Sequence, residues 1–219
     1  MAPGTNGRLA ADLLIWDLDG TLVNTLADIA DSLNRVLAPL GHAPHSLDEV
    51  AIFIGSGIRQ LIERALPDDP RIDDLVAAFR EDYSRNLTAK SRLYPGVEEM
   101  LRHFASKPQV VISNKLQTMT RVIAQDLGIA THFREIIGQG GDYPIKPDPA
   151  STLAMIAAHG TTPERTVFIG DSDVDFQTAR SAGTRSVLVT YGLRPRSEVL
   201  GLPADVHLDD IRGLAGVIC

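Results

Sequence analysis

Two hydrophobic periodicities alternate along most of the chain. Short apolar runs of the strand type occur at 12–16, 109–113, 135–138, 166–170 and 186–190. Amphipathic or Ala-rich helical stretches lie between most of these runs, for example at 116–127, 150–159 and 174–182. This alternation predicts an α/β fold in which helices cover both faces of a doubly wound parallel sheet. Ligands of such sheets bind at the carboxyl ends of the strands, so polar residues that directly follow an apolar run are the first site candidates.

Between the first and second strand-type runs the pattern is helical only. One apolar helix face spans 26–40, and Ser46 and Glu49 have the spacing of a capping box that opens a second helix. The stretches 58–65 and 72–87 continue the helical period. The sequence therefore predicts about four helices in this region and no strand.

Composition and charge narrow the class of function. The 219 residues carry a formal net charge of −7, and no run of basic residues stands out, which argues against nucleic acid or an anionic membrane as partner. The apolar run before Asp17 is too short for a signal core or a membrane span. The single cysteine, Cys219, leaves no internal disulfide. We expect a reducing, cytoplasmic setting and no membrane partner.

Acidic residues follow the first strand-type run. Asp17 and Asp19 are two apart, so on extended chain their side chains point the same way. Two like charges held together in a pocket need a cation or a proton, and a divalent metal would serve. Such a pair is common in surface turns, so other segments have to support a catalytic interpretation.

Three further segments give that support, and with the first they resemble the four motifs of the haloacid dehalogenase-like superfamily, in its aspartate-nucleophile phosphatase branch. The first motif is Asp17-Leu18-Asp19-Gly20-Thr21-Leu22, and the others are Ser113-Asn114, Lys146-Pro147 and Gly170-Asp171-Ser172-Asp173-Val174-Asp175. They occur in the order that the superfamily shows. The resemblance implies that the helical region is an inserted all-α cap at 28–92, and that 1–27 and 93–219 form the α/β core.

The resemblance also implies a role for each motif residue. Asp17 is the expected nucleophile, which becomes an acyl phosphate, and Asp19 is the expected general acid and base. The metal ligands would be Asp17, the backbone carbonyl of Asp19, and Asp171, whose hard oxygen donors imply Mg²⁺.

The other motif residues are expected to bind phosphate or to support the site. Lys146 would supply positive charge to the nucleophile and the phosphate. The Ser113 hydroxyl and the Asn114 backbone N–H would bind the transferring phosphoryl group. Thr21 is expected to orient the carboxylates, and Asp175 to orient its neighbours.

Less specific features resemble phosphoglycolate phosphatases. They include Ser-Asn-Lys at the second motif and the segment Ile54-Gly55-Ser56-Gly57-Ile58-Arg59, which is similar to a substrate-facing cap loop. The resemblance implies a small phosphorylated metabolite as substrate, with 2-phosphoglycolate as the first choice, and Gly55, Ser56 and Arg59 as residues that select it. Arg59 would pair with the substrate carboxylate; the alternative is an Arg on a helix surface turned to solvent.

Other functions remain open at this point. A phosphosugar mutase carries the same four motifs, and a pyrophosphatase or nucleotidase of the superfamily is also compatible with them. A non-enzymatic phospho-receiver module would phosphorylate a strand-end Asp, but it lacks both the helical insertion and the second acid. We expect a monomer or a homodimer.

Overall fold

The computed structural model describes residues 8–219, which form an α/β structure as the sequence predicts. The first seven residues of the predicted core lie outside the described part. The strands are β1 (Leu13–Trp16), β2 (Val23–Asn24), β3 (Arg92–Leu93), β4 (Gln109–Leu116), β5 (Glu135–Gln139), β6 (Thr166–Gly170), β7 (Arg185–Val189) and β8 (Val206–Leu208). The α-helices are α1 (Leu26–Leu37), α2 (Leu47–Phe53), α3 (Ile58–Ala65), α4 (Ile72–Ser84), α5 (Val97–His103), α6 (Gln117–Asp126), α7 (Ala150–Ala158), α8 (Asp173–Ala182), α9 (Arg196–Leu200) and α10 (Leu214–Val217).

Six of the strands form one parallel sheet in the order β5-β4-β1-β6-β7-β8. Ile15 of β1 stands beside Val110 on one side and Phe168 on the other. Alternate residues of β1 enter different hydrophobic clusters, Leu14 in one and Ile15 in the other, so both faces of the sheet are covered. The chain order reverses at β1, which creates a crevice at the carboxyl ends of β1, β4 and β6.

The four helices α1 to α4 form the helical insertion. Helix α1 packs against α2 and α4, and α3 packs against the same two helices. The predicted capping box is present at α2, where Ser46 accepts a hydrogen bond from the Glu49 backbone and Glu49 accepts one from the Ser46 backbone. The insertion leaves and rejoins the core through β2 and β3, which pair antiparallel with Val23 beside Leu93. The boundaries of the cap at 28 and 92 stay a prediction, since α1 itself begins at Leu26.

No helix among residues 8–219 is both long enough and apolar enough to cross a bilayer.

Candidate active site

Asp17 and Asp19 leave the carboxyl end of β1 toward the crevice. The backbone N–H of Asp17 donates to the Ile169 carbonyl at 2.9 Å, which keeps the chain beside β6 for one residue past the strand. Gly20 then turns the chain with φ of +87°, and a Cβ at this position would collide with the carboxylate of Asp171. Glycine is therefore required here both for the left-handed backbone and for the close approach.

Lys146 joins two of the acidic residues. Its Nζ lies 2.7 Å from Oδ1 of Asp17 and 2.6 Å from Oδ1 of Asp175, and all three side chains are buried. The other oxygen of Asp175 accepts hydrogen bonds from the Ser172 hydroxyl at 2.7 Å and from the Asp171 backbone at 3.2 Å. Both carboxylate oxygens of Asp175 are thus occupied, and this residue holds Lys146 against Asp17.

A potential metal site lies beside this ion pair. Asp17, Asp171 and Asp175 each offer a carboxylate oxygen, and these atoms lie within 4.8 Å of one another. Oδ2 of Asp171 accepts the backbone N–H of Leu193 at 2.6 Å, whereas its Oδ1 accepts no hydrogen bond from the described residues. Buried hard oxygen donors of this kind fit Mg²⁺. Because both oxygens of Asp175 are engaged, Asp17 and Asp171 are the better ligands.

The electrostatics of this cluster are unfavourable without a further cation. Burial is the main cause that raises the pKa of Asp17, which reaches about 7. The positive charge of Lys146 opposes this rise, and the negative charges of Asp175 and Asp19 add to it. Burial and the charges of Asp175 and Asp17 raise the pKa of Asp171 well above its ordinary range. Burial alone would lower the pKa of Lys146, but Asp17 and Asp175 outweigh it and raise that pKa. The cluster therefore has three buried carboxyl groups and one ammonium, which contacts two of them. A second positive charge would stabilise their ionised forms.

Asp19 is held by a different set of partners. The Thr25 hydroxyl donates to its Oδ1 at 2.5 Å, and the ammonium of Lys115 lies 3.2 Å from its Oδ2. Lys115 also donates to the phenol oxygen of Tyr83 on α4 at 3.0 Å. Burial lowers the pKa of Lys115, but Asp19 and Tyr83 together raise it by more. The pKa therefore lies above its ordinary value, and this lysine is a cation. The Thr21 hydroxyl has no hydrogen-bond partner among the described residues, and the hydroxyl that orients Asp19 belongs to Thr25.

Ser113 and Asn114 stand at the end of β4, next to the aspartates. The Ser113 hydroxyl faces the pocket and accepts the backbone N–H of Lys115 at 3.3 Å. The Asn114 side chain bonds both polar groups of the Lys146 backbone, accepting from its N–H at 2.7 Å and donating to its carbonyl at 2.9 Å. It also donates to the Gly55 carbonyl at 3.0 Å. Asn114 therefore connects the Lys146 loop with the helical cap, a role that the sequence does not indicate.

A pocket between the core and the cap contains these groups. It comprises about 670 Å³ of empty space, open solvent included, and Asp17, Asp19, Ser113, Lys146 and Asp171 line its core side. The cap side is mostly apolar. It is lined by Ile29, Ile54, Ile58, Leu61, Phe79 and Tyr83.

The predicted cap residues are divided between the pocket and the surface. Gly55 lines the pocket. Ser56 is not among the lining residues, and its hydroxyl accepts from Arg64 at 3.2 Å. Arg59 is exposed and pairs with Asp73 and, at 3.3 Å, with Glu63. The structure thus does not bring Arg59 to the pocket, and its position matches the alternative of a surface Arg. Substrate contact by Arg59 stays a prediction without structural support.

Arg194 is a pocket residue that sequence reasoning did not select. It follows β7, and its guanidinium donates to the carbonyls that end α2, at 2.9 Å to Ile52 and 2.5 Å to Ile54. A Cβ on Gly55 would come within 2.8 Å of this guanidinium. The core thus holds the cap loop from two sides, through Arg194 and Asn114. No local sequence signal marks such a contact, since about 140 residues separate its partners.

Comparisons with known proteins identify the group to which this site belongs. A family model described as haloacid dehalogenase-like hydrolase matches residues 14–189. A phosphoglycolate phosphatase of Pseudomonas putida is 34% identical over 97% of this chain and 80% of the relative. One of Cereibacter sphaeroides is 39% identical over 83% of this chain and 86% of the relative. The crystal structure of a predicted phosphoglycolate phosphatase from Haemophilus somnus superposes with a TM-score of 0.89 at 30% identity, covering 94% of this chain and 97% of the other.

The fold and the site define a hydrolase with a strand-end aspartate in a crevice under a helical cap. The chain belongs to the haloacid dehalogenase-like hydrolase family. It is an enzyme, a phosphoric monoester hydrolase similar to the phosphoglycolate phosphatases. The family membership and the α/β fold that the sequence motifs predict are confirmed.

Proposed function

We propose that this enzyme hydrolyses 2-phosphoglycolate, a small phosphorylated metabolite, through a phosphoaspartate on Asp17 and with the help of Mg²⁺. The observation that carries the proposal is the buried contact of 2.7 Å between Lys146 and Asp17 at the open end of β1, with Asp171 next to it. A nucleophilic carboxylate, a fixed cation and a second acid for a metal are the groups that phosphoryl transfer requires.

The residues act in two steps. A carboxylate oxygen of Asp17 forms a bond to phosphorus while the ester bond breaks, and Asp19 gives a proton to the leaving alkoxide. Asp19 then takes a proton from the water that attacks the phosphoaspartate, which releases phosphate and restores Asp17. Lys146 orients Asp17 and neutralises charge, and the Ser113 hydroxyl donates to the transferring group.

Mg²⁺ would be held by the carboxylates of Asp17 and Asp171 and by the backbone carbonyl of Asp19. When bound, it would supply positive charge that favours the ionised form of Asp17 and balances the phosphate. The raised pKa values of Asp17 and Asp171 support this assignment, because burial and the neighbouring carboxylates disfavour their ionised forms and a bound cation would offset both effects.

The choice of substrate rests on the relatives of this enzyme. The relatives from Pseudomonas putida and Cereibacter sphaeroides are phosphoglycolate phosphatases. The cap covers the site with mostly apolar side chains, which limit the access of water to a bound substrate. The cytoplasmic location and the monomeric or homodimeric state stay predictions.

The test is a screen of phosphomonoesters that includes 2-phosphoglycolate, with Mg²⁺ and after exhaustive chelation. We expect turnover only with the divalent ion and the highest kcat/KM on 2-phosphoglycolate. Asp17→Asn keeps the shape of the side chain and should lower kcat by at least about 10³-fold, since the nucleophile is lost. Turnover without metal, or wild-type rates in Asp17→Asn, would refute the mechanism.

A further inference from the structure

The pocket contains more cationic side chains than the proposed phosphate binding uses. Three cationic side chains are among the described residues that line it: Lys146, Lys115 and Arg194. Lys146 lies between Asp17 and Asp175, and Arg194 donates to the carbonyls of the cap loop. Lys115 has no part in either arrangement, and it lies on the side of Asp19, where the leaving group must depart.

Lys115 keeps a donor for a ligand. An ammonium carries three N–H donors, and the contacts with Asp19 at 3.2 Å and Tyr83 at 3.0 Å occupy two of them. The side chain is 5% exposed and Lys115 lines the pocket, so the third donor is shielded from bulk solvent and within the site. Tyr83 accepts from Lys115 through its oxygen, which leaves its own O–H to donate. Burial raises the pKa of Tyr83 to about 12, so the phenol retains that proton.

The surroundings make these donors selective. Ile29, Phe79 and Met119 also line the pocket, so a charge bound there is shielded from water. In such a setting a charged hydrogen bond is stronger than at the surface, and an apolar ligand group at this place leaves the third ammonium donor without a partner. A substrate that carries a negative charge beyond its phosphate is therefore favoured over one that does not.

The position fits a carboxylate very close to the ester oxygen. Asp19 must reach that oxygen to protonate it, and Lys115 is the cationic neighbour of Asp19. In a phosphorylated two-carbon hydroxy acid, the carboxyl carbon is separated from the ester oxygen by a single methylene. We propose that Lys115 and Tyr83 form the subsite that binds the carboxylate of the leaving group and selects phosphomonoesters of short 2-hydroxy acids. This inference rests on the proposed function and replaces Arg59 as the specificity residue.

The experiment compares two substrates that differ in the carboxylate. The ratio of kcat/KM for 2-phosphoglycolate to that for 2-hydroxyethyl phosphate is measured in the wild type, Lys115→Met and Tyr83→Phe. Lys115→Met should lower this ratio about 100-fold, the loss typical of a buried charge pair. Tyr83→Phe should lower it about 10-fold, the loss expected for a hydrogen bond to a charged group. Lys107→Met is the matched control, because that ammonium donates to main-chain oxygens of Ala11 and Cys219 and does not line the pocket.

The outcomes separate this inference from the proposed function. If the wild type prefers 2-phosphoglycolate and Lys115→Met lowers both activities equally, Lys115 only holds the cap to Asp19 and the subsite is refuted. If Arg59→Ala lowers the ratio and Lys115→Met does not, the carboxylate binds at Arg59. If the wild type turns over both esters without preference, the assigned substrate and the subsite are both wrong. Should Lys115→Met fail to fold, an unchanged ratio in Tyr83→Phe overturns the proposal.

Discussion

Replacing Asp17 with Asn should stabilise the metal-free protein while abolishing turnover. The Asn side chain has nearly the same shape as Asp and keeps an oxygen that can accept a hydrogen bond from Lys146. In the wild type the Lys146 ammonium lies 2.7 Å from Oδ1 of Asp17. The folded state holds the pKa of Asp17 at about 7 against an ordinary value of 3.8, so the unfolded chain gives up this proton more readily. Stability from this group is therefore lost as the pH rises from about 4 through about 7.

The magnitude follows from that difference. The change from 3.8 to about 7 corresponds to about 4 kcal/mol when the group is fully ionised. Coupling to Asp171 and Asp175 and relaxation of the site reduce this value, so we expect Asp17→Asn to be more stable by about 2–4 kcal/mol at pH 8. Near pH 4 the gain should vanish, because the wild-type carboxyl is then protonated in the folded protein.

The assay is urea unfolding in excess chelator at several pH values, with Asp173→Asn as the control. Asp173 is the first residue of α8, two residues after Asp171, but it is exposed, so its replacement should change stability by less than about 1 kcal/mol. Added Mg²⁺ should raise the stability of the wild type more than that of Asp17→Asn. A variant no more stable than the wild type at pH 8, or a gain independent of pH, would refute the electrostatic reasoning.

Three further predictions concern the steps of turnover and the cap. Asp19→Asn should still accept phosphate on Asp17 from an activated donor but hydrolyse it slowly, so rapid quench should show accumulated phosphoenzyme; full turnover without accumulation would assign the base elsewhere. Lys146→Ala should lower kcat by at least about 10²-fold. Lys146→Arg should restore only part of the lost rate, since a planar guanidinium does not replace a compact ammonium. Equal kcat values for Lys146→Arg and the wild type would contradict this. Arg194→Ala removes the hydrogen bonds to the end of α2, so protease cleavage near residues 51–57 should become faster. An unchanged cleavage rate would show that Arg194 does not hold the loop.

The main features of the fold were predictable because they are local. Five apolar runs match strands of the sheet, and the polar residues that end them are recognisable one segment at a time. The rule that strand ends converge then brings Asp17, Ser113 and Asp171 together without any knowledge of the pairing. The strands β2, β3 and β8 were not predicted, since they are only two or three residues long and too short to show a period.

The position of Arg59 is predicted better by the helical period of α3 than by the resemblance of the preceding loop. In α3 the buried residues are Ile58, Leu61, Ile62 and Ala65, which recur at helical spacing on one face. Arg59 is one position beyond Ile58, about a quarter-turn away, where it meets Glu63 on the exposed side. This pattern is visible in the sequence and predicts the surface position.

Lys115 and Asn114 could not be assigned in the same way, because their partners lie in other segments. Lys115 contacts Tyr83, and Asn114 contacts Gly55 and Lys146. A sequence motif records that these residues follow a strand, but only the packing of the cap on the core determines what they meet. Ionic and hydrogen-bonding partners on separate elements are therefore the part of a site that motif analysis misses most readily.

The Asn114 side chain contacts both the cap loop and the backbone of Lys146. One amide fixes the backbone of Lys146 through two hydrogen bonds and holds the Gly55 carbonyl through a third. Any movement of the cap loop away from the core must break the bond to Gly55 together with those of Arg194. The bonds to Lys146 lie wholly within the core and survive such a movement. We therefore expect that the cap opens for product release while the contact of Lys146 with Asp17 stays in place for the next substrate.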